Sequence, residues 1–197
     1  MKKNLSLFLL FIIFQTVNAG NIIGTYTLSH FDKTFIVKAV GSKKNKFSVF
    51  IEVKGESSDD AYINVKGKDL EKFKQSLLEM KNKFAEWSKT ATENNVNKMT
   101  RFMEVKFPSI GVHWETPSGI YFSGKEEISP VFSIMDNGTH RATIAKTVKH
   151  GMNRFITETI YLPFSNPEEI DGLVNLLDKD KIMNIIDQQI KLQKLFD

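Results

Sequence analysis

The sequence predicts an α+β fold, with antiparallel β-meanders packed against one long amphipathic helix and a C-terminal helical segment. Three observations carry that expectation. Short bursts of β-branched and aromatic residues are separated by turn chemistry. One long stretch instead places apolar residues at alternating spacings of three and four. Further bursts then run up to a Pro-containing helix start near the C-terminus.

The early bursts at 25–29, 34–40, 47–53 and 61–65 read as strands. Gly41-Ser42-Lys43-Lys44-Asn45 and Gly55-Glu56-Ser57-Ser58-Asp59-Asp60 read as the loops between them, and connections this short join antiparallel neighbours. The period then changes. Leu70, Phe73, Leu77, Met80, Phe84, Trp87 and Ala91 fall on one stripe of a helix about six turns long. A coiled-coil seam is the alternative, but Phe73, Phe84 and Trp87 suit the space over a sheet better than knobs-into-holes packing. Asn94-Asn95 should fray the helix into a loop.

Strands are expected again at 102–107, 110–115, 120–123, 130–135, 139–148 and 155–164. Thr116-Pro117-Ser118-Gly119 is a tight connection, and Asp136-Asn137-Gly138 suggests a type I′ hairpin because Asn-Gly tolerates positive φ. Asn166, Pro167 and Glu169 supply a cap, a first helical residue and a returning carboxylate. Ile170, Leu173, Val174 and Leu177 give the buried stripe of that helix. Residues 178–181 are expected to interrupt it, and 182–195 to resume it. The halves 20–97 and 98–197 resemble each other: 61–65 aligns with 160–164, and Leu77-Leu78 with Leu176-Leu177. A duplicated meander-plus-helix unit is one reading and the common grammar of strand-to-helix junctions the other.

The N-terminus reads as an export signal. Lys2 and Lys3 precede an apolar run at 5–14, and Val17-Asn18-Ala19 offers short residues for cleavage after Ala19. An uncleaved anchor is the alternative, but the run falls short of the roughly 20 residues a spanning helix needs. Removing 19 of 197 residues leaves 178, enough for one domain at 20–197 with its own core, two small domains being the alternative. Lys2 and Lys3 leave with the signal, so 25 basic residues face 23 acidic ones, a net +2. That balance gives no reason to expect a nucleic-acid partner. The chain has no cysteine, which excludes disulfides, thiol catalysis and a lipoprotein anchor. A periplasmic or secreted setting follows, with no membrane span in the mature chain.

No familiar catalytic pattern is present. The sequence lacks a Gly-x-Ser-x-Gly elbow and a glycine-rich phosphate turn, so no cofactor is expected. Asp59-Asp60 and Glu126-Glu127 sit in turn-like segments that water would solvate. His30, His113, His140 and His150 lack the spacing of a zinc site, and Ile182 stands where a calcium loop beginning at Asp178 needs oxygen. The one local constellation is His113 and Glu115 on one strand face, with Tyr121 across the hairpin and Trp114 on the other face. An ordinary solvated strand face is the competing reading. The lysines around the long helix read as a solvated face, or as a surface for an anionic glycan or lipid. Sixteen phenylalanines, three of them in the signal, are enough to fill a core and line an apolar groove.

Glu86-Trp87-Ser88-Lys89, followed by Thr90-Ala91-Thr92-Glu93-Asn94-Asn95-Val96, resembles a group of small, uncharacterised exported proteins of Bacteroidetes. The likeness extends loosely to 160–177 and implies a periplasmic or secreted setting without an activity. The sequence therefore leads to an exported, non-catalytic binding module for a protein, glycan or apolar ligand. A hydrolase of cell-envelope or dietary polymer, with carboxylates gathered from distant strands, is the alternative.

Overall fold

The computed structural model describes residues 20–43, 46–58, 60–193 and 195. The expected signal at 1–19, Lys44 and Asn45 of the first loop, and Asp59 of the paired acids lie outside the described residues. Strand β1 is Asn21–Leu28, followed by a 3₁₀ turn at Ser29–Phe31, then β2 Lys33–Lys43, β3 Lys46–Gly55 and β4 Asp60–Lys66. Helix α1 spans Leu70–Glu93. Strands β5 Met99–Phe102, β6 Ile110–Thr116, β7 Gly119–Glu126, β8 Val131–Ile134, β9 His140–Lys149 and β10 Thr157–Phe164 precede α2 Pro167–Val174 and α3 Lys179–Gln193. The fold is α+β, as the sequence predicts.

Every strand pairing is antiparallel. One sheet runs β1-β2-β3-β4-β6-β7 and the other β5-β8-β9-β10. They meet because β3 outlasts its neighbours: its body pairs with β2 and β4, while Lys54 and Gly55 pair with Tyr161 and Ile160 of β10. Strands β6 and β7 come from the second half of the chain yet extend the sheet of the first half through β4. The two halves interleave.

Helix α1 forms where the period of three and four demands it. Leu70, Phe73, Leu77, Met80, Phe84 and Ala91 are buried, and Trp87 is half-buried against Phe132, ring centroids 5.7 Å apart. The helix touches β4 and β9, so its apolar stripe lies against strands of both sheets. Each large side chain buried this way contributes about 1.5–3 kcal/mol. The helix ends as a Schellman turn, with Asn95 in the left-handed region (φ 53°) and the Val96 N–H donating to the Ala91 carbonyl. Glu79 and Lys83 pair along the helix at 3.5 Å, and Lys81 crosses to Asp171 of α2 at 2.6 Å.

Three local expectations change. The stretch 102–107 keeps the expected alternation, with Met103 and Val105 buried, but only Phe102 belongs to a strand and Glu104 turns into the left-handed region (φ 50°). Beyond Phe102 the chain crosses α1 on its way from β5 to β6. Helix side chains take over the backbone bonds that a ladder would supply, Ser76 donating to the Lys106 carbonyl at 2.8 Å and Lys83 to that of Met103 at 2.9 Å. The hairpin at 136–138 forms, but with only Gly138 at positive φ (77°), and with Gly138 N–H bonded to the Met135 carbonyl at 2.8 Å. That is the three-residue loop with a glycine bulge, in which the Asn137 side chain accepts the Thr139 N–H instead of its backbone turning left-handed. Finally, the helical break falls at 175–178. Asp178 accepts the Lys181 N–H at 2.8 Å and so starts α3, which places residues 179–181 inside a helix.

Candidate functional site

The strand face chosen from the sequence assembles differently from expectation. The β6–β7 hairpin turns through Pro117 and Ser118, so Thr116 opposes Gly119, Trp114 opposes Tyr121 and His113 opposes Phe122. Tyr121 therefore shares the face of Trp114, their rings 5.7 Å apart, and lies on the opposite side of the sheet from His113 and Glu115. A two-residue loop fixes that register, and the loop was readable in the sequence. Placing Tyr121 opposite His113 was a one-residue slip, which moves a side chain to the other face.

His113 instead joins Tyr62 of β4, its direct cross-strand neighbour, and the ring of Phe50 at 5.4 Å edge-on. The Asn64 amide stands 3.5 Å from His113 Nε2. Burial keeps the His113 imidazole below its usual 6.5, so it is neutral at pH 7. Tyr62 is pushed up to about 12 by burial first and then by the negative charges of Asp60, Glu52 and Glu115. Lys38 answers that charge, its ammonium 3.4 Å from the Tyr62 hydroxyl. Asp60 and Glu115 oppose each other across β4 and β6, and both are exposed. Tyr62 is engaged with Lys38 and His113 with Asn64, while Asp60 and Glu115 are left to water. Among the described residues, no group of three or more histidines and carboxylates is placed to hold a metal ion.

A different feature arises where the two sheets meet. A groove of about 460 Å³ lies over the outer face of the second sheet. Its floor comes from alternate residues of three strands: Ser133 follows β8's outward face, Arg141 and Thr143 that of β9, and Tyr161 and Pro163 that of β10. One wall is the 3₁₀ turn bearing His30 and Phe31. That turn is pinned because the Ser29 N–H and hydroxyl both donate to Glu169 Oε1, the N–H at 2.9 Å. Glu169 also accepts the Ser165 N–H through Oε2 at 2.8 Å, so the expected returning carboxylate reaches one residue beyond Asn166. Asn166 itself caps α2 through the Glu169 N–H, at 2.9 Å.

The other wall is the end of β3, Lys54 to Glu56, and it too is fixed. Glu158 is only 2% exposed, and its Oε1 accepts three backbone N–H groups, from Thr159 at 2.8 Å, Glu56 at 2.9 Å and Ser57 at 3.1 Å. These three bonds offset the burial of the carboxylate at Oε1, while Oε2 is buried with no hydrogen-bond partner. Both walls are thus anchored by carboxylates that are occupied with backbone and hydroxyl groups.

The charges in the groove are less well matched. The Nε of half-buried Arg141 is shielded from water and has no hydrogen-bond partner. Among the described residues, neither Arg141 nor Lys54 has a carboxylate within 4.0 Å. His30 is held below its usual 6.5 by burial first and then by the positive charge of Arg141, with Glu169 pulling the other way. Sequence reasoning missed this site. Its residues come from stretches near 30, 55, 133, 141 and 161, and the only local sign was an arginine on the outward register of a strand otherwise lined by Thr and Ala.

The fold and the groove together define an α+β protein with an open groove at a junction of two antiparallel sheets. No known protein family, curated protein or solved structure matches the chain. Among the described residues, no helix is long and apolar enough to cross a membrane.

Proposed function

We propose that this chain is an exported, non-catalytic binding module, working in the periplasm or outside the cell, and that the sheet-junction groove is where it holds its ligand. The observation carrying this reading is the groove itself: about 460 Å³, within the size range of small-molecule sites, with both walls pinned. A preformed concave surface avoids the ordering cost that a mobile one would incur on binding. Phe31, Met135, Tyr161 and Pro163 give the groove its apolar lining, which suits an apolar ligand or an apolar side chain of a partner protein.

The rival reading, a hydrolase, needs in its glycosidase form two carboxylates facing one cleft. Among the described residues, Glu56 is the single carboxylate lining this groove, and it is exposed. Binding therefore has the better support. The test is an amide NMR titration of the mature chain with 1-octanol, whose apolar body fits the groove. Shifts concentrated at Gly55, Ser133, Thr143 and Tyr161, and abolished in a groove-filling Thr143→Trp variant, are expected. Turnover of a polymer substrate by purified protein, with those amides unmoved, would overturn the reading.

A further inference from the structure

We infer that the ligand of this groove is an amphipathic oxyanion: a carboxylate or phosphate head that Arg141 receives, on an apolar body lying over Pro163, Tyr161 and Phe31. The inference rests on the groove being the binding site and adds the chemistry of its occupant.

A guanidinium carries five N–H donors in a rigid fork, and its charge persists at any physiological pH. Withdrawing part of it from water without a counter-charge is unfavourable, so arginines in half-buried positions usually have a carboxylate beside them. Here Nε is shielded and unbonded, and among the described residues no carboxylate comes within 4.0 Å. The shielded Nε is out of a ligand's reach as well as water's, so an oxyanion entering the groove bonds the terminal Nη donors and supplies the missing counter-charge, and charge-assisted hydrogen bonds are about twice as strong as neutral ones.

The surroundings favour the same charge. Lys54 stands on the rim opposite the 3₁₀ turn, equally without a carboxylate among the described residues, while Ser133 and Thr143 offer hydroxyl donors beside Arg141 on the floor. The acids that come near are accounted for. Glu158 and Glu169 are bonded to backbone and to Ser29, which leaves Glu56, among the described residues, as the one acid lining the groove. A free inorganic anion would use only the polar end and leave the apolar surface of Tyr161, Pro163 and Phe31 uncovered; an amphipath covers both.

The experiment compares octanoate, octyl phosphate and 1-octanol, which share one tail and differ in the head, by amide NMR titration of the mature chain. The anions should bind at least about tenfold tighter than the alcohol. Arg141→Gln should erase that preference, and Lys54→Gln, at an exposed position, should reduce it by about twofold to fivefold at low salt. Whichever of the two anions binds tighter identifies the head. Equal affinity for all three probes at the groove amides, unchanged in both variants, overturns the oxyanion inference and leaves the groove reading intact. If no probe moves the groove amides, the groove reading itself falls, and this inference with it.

Discussion

The outer faces of the two sheets use similar residues to opposite ends. On the first, the Phe50 ring meets His113 edge-on at 5.4 Å, His113 lies 6.4 Å from Phe122, and Lys38 sits over the Tyr62 ring at 5.3 Å, while Asp60 and Glu115 are exposed. On the second, Tyr161 and Arg141 border open space, and the arginine lacks a partner among the described residues. Functional chemistry is better sought where satisfaction is incomplete than where polar residues merely cluster. The first face is rich in titratable groups, and there Tyr62 and His113 are engaged with Lys38 and Asn64.

Substitutions can separate the two roles. The largest effect is expected at the joint between the faces. Glu158→Ala removes the acceptor for three backbone N–H groups and should cost about 3 kcal/mol, read as a lower urea midpoint, while loosening the Gly55–Glu56 wall enough to weaken octanoate binding. Next is Phe50→Ala on the first face. Truncating a side chain that is 6% exposed should cost about 2 kcal/mol and leave ligand affinity unchanged. A loss of octanoate binding in this variant would mean that the two faces are coupled.

Arg141→Gln should show the reverse pattern, with binding of octanoate reduced about tenfold, or about 1.4 kcal/mol, and stability changed by less than about 0.5 kcal/mol. Strong destabilisation instead would show the arginine to be structural. The smallest effect concerns pH. Burial holds His113 neutral below its usual 6.5, so the unfolded chain binds the extra proton first. Stability should therefore fall as pH drops through about 6.5 and continue to fall until the folded-state value is reached. The difference between wild type and His113→Gln in urea melts at pH 7.5 and 5.5 measures it, and an identical pH dependence in both would remove the effect from His113.

Much of the architecture was legible in the chain, and the failures have identifiable causes. The stripe from Leu70 to Ala91 specified α1, and Asn166 with Pro167 specified the start of α2, because helix periodicity and capping involve residues within a few positions of one another. The alternation after Phe102 was read as a strand because extended chain looks the same whether its partner is a ladder or the polar side chains of a helix. Tyr121 was misplaced by one register step, and Asp178 was counted as a breaker when it is a cap. The groove was not legible at all. That Arg141 faces Lys54 and the 3₁₀ turn depends on β3 running past β4 to meet β10, and no spacing along the chain encodes that meeting.

The sequence alone determined the kinds of elements, their approximate limits and which residues would be hidden, since these follow from periodicity and turn chemistry over short stretches. Tertiary structure alone decided which strand neighbours which, and therefore which charges find partners. The physical reason is that pairing between distant strands is settled by the collective packing of both sheets around α1, whereas hydrophobic period is a property of the local chain.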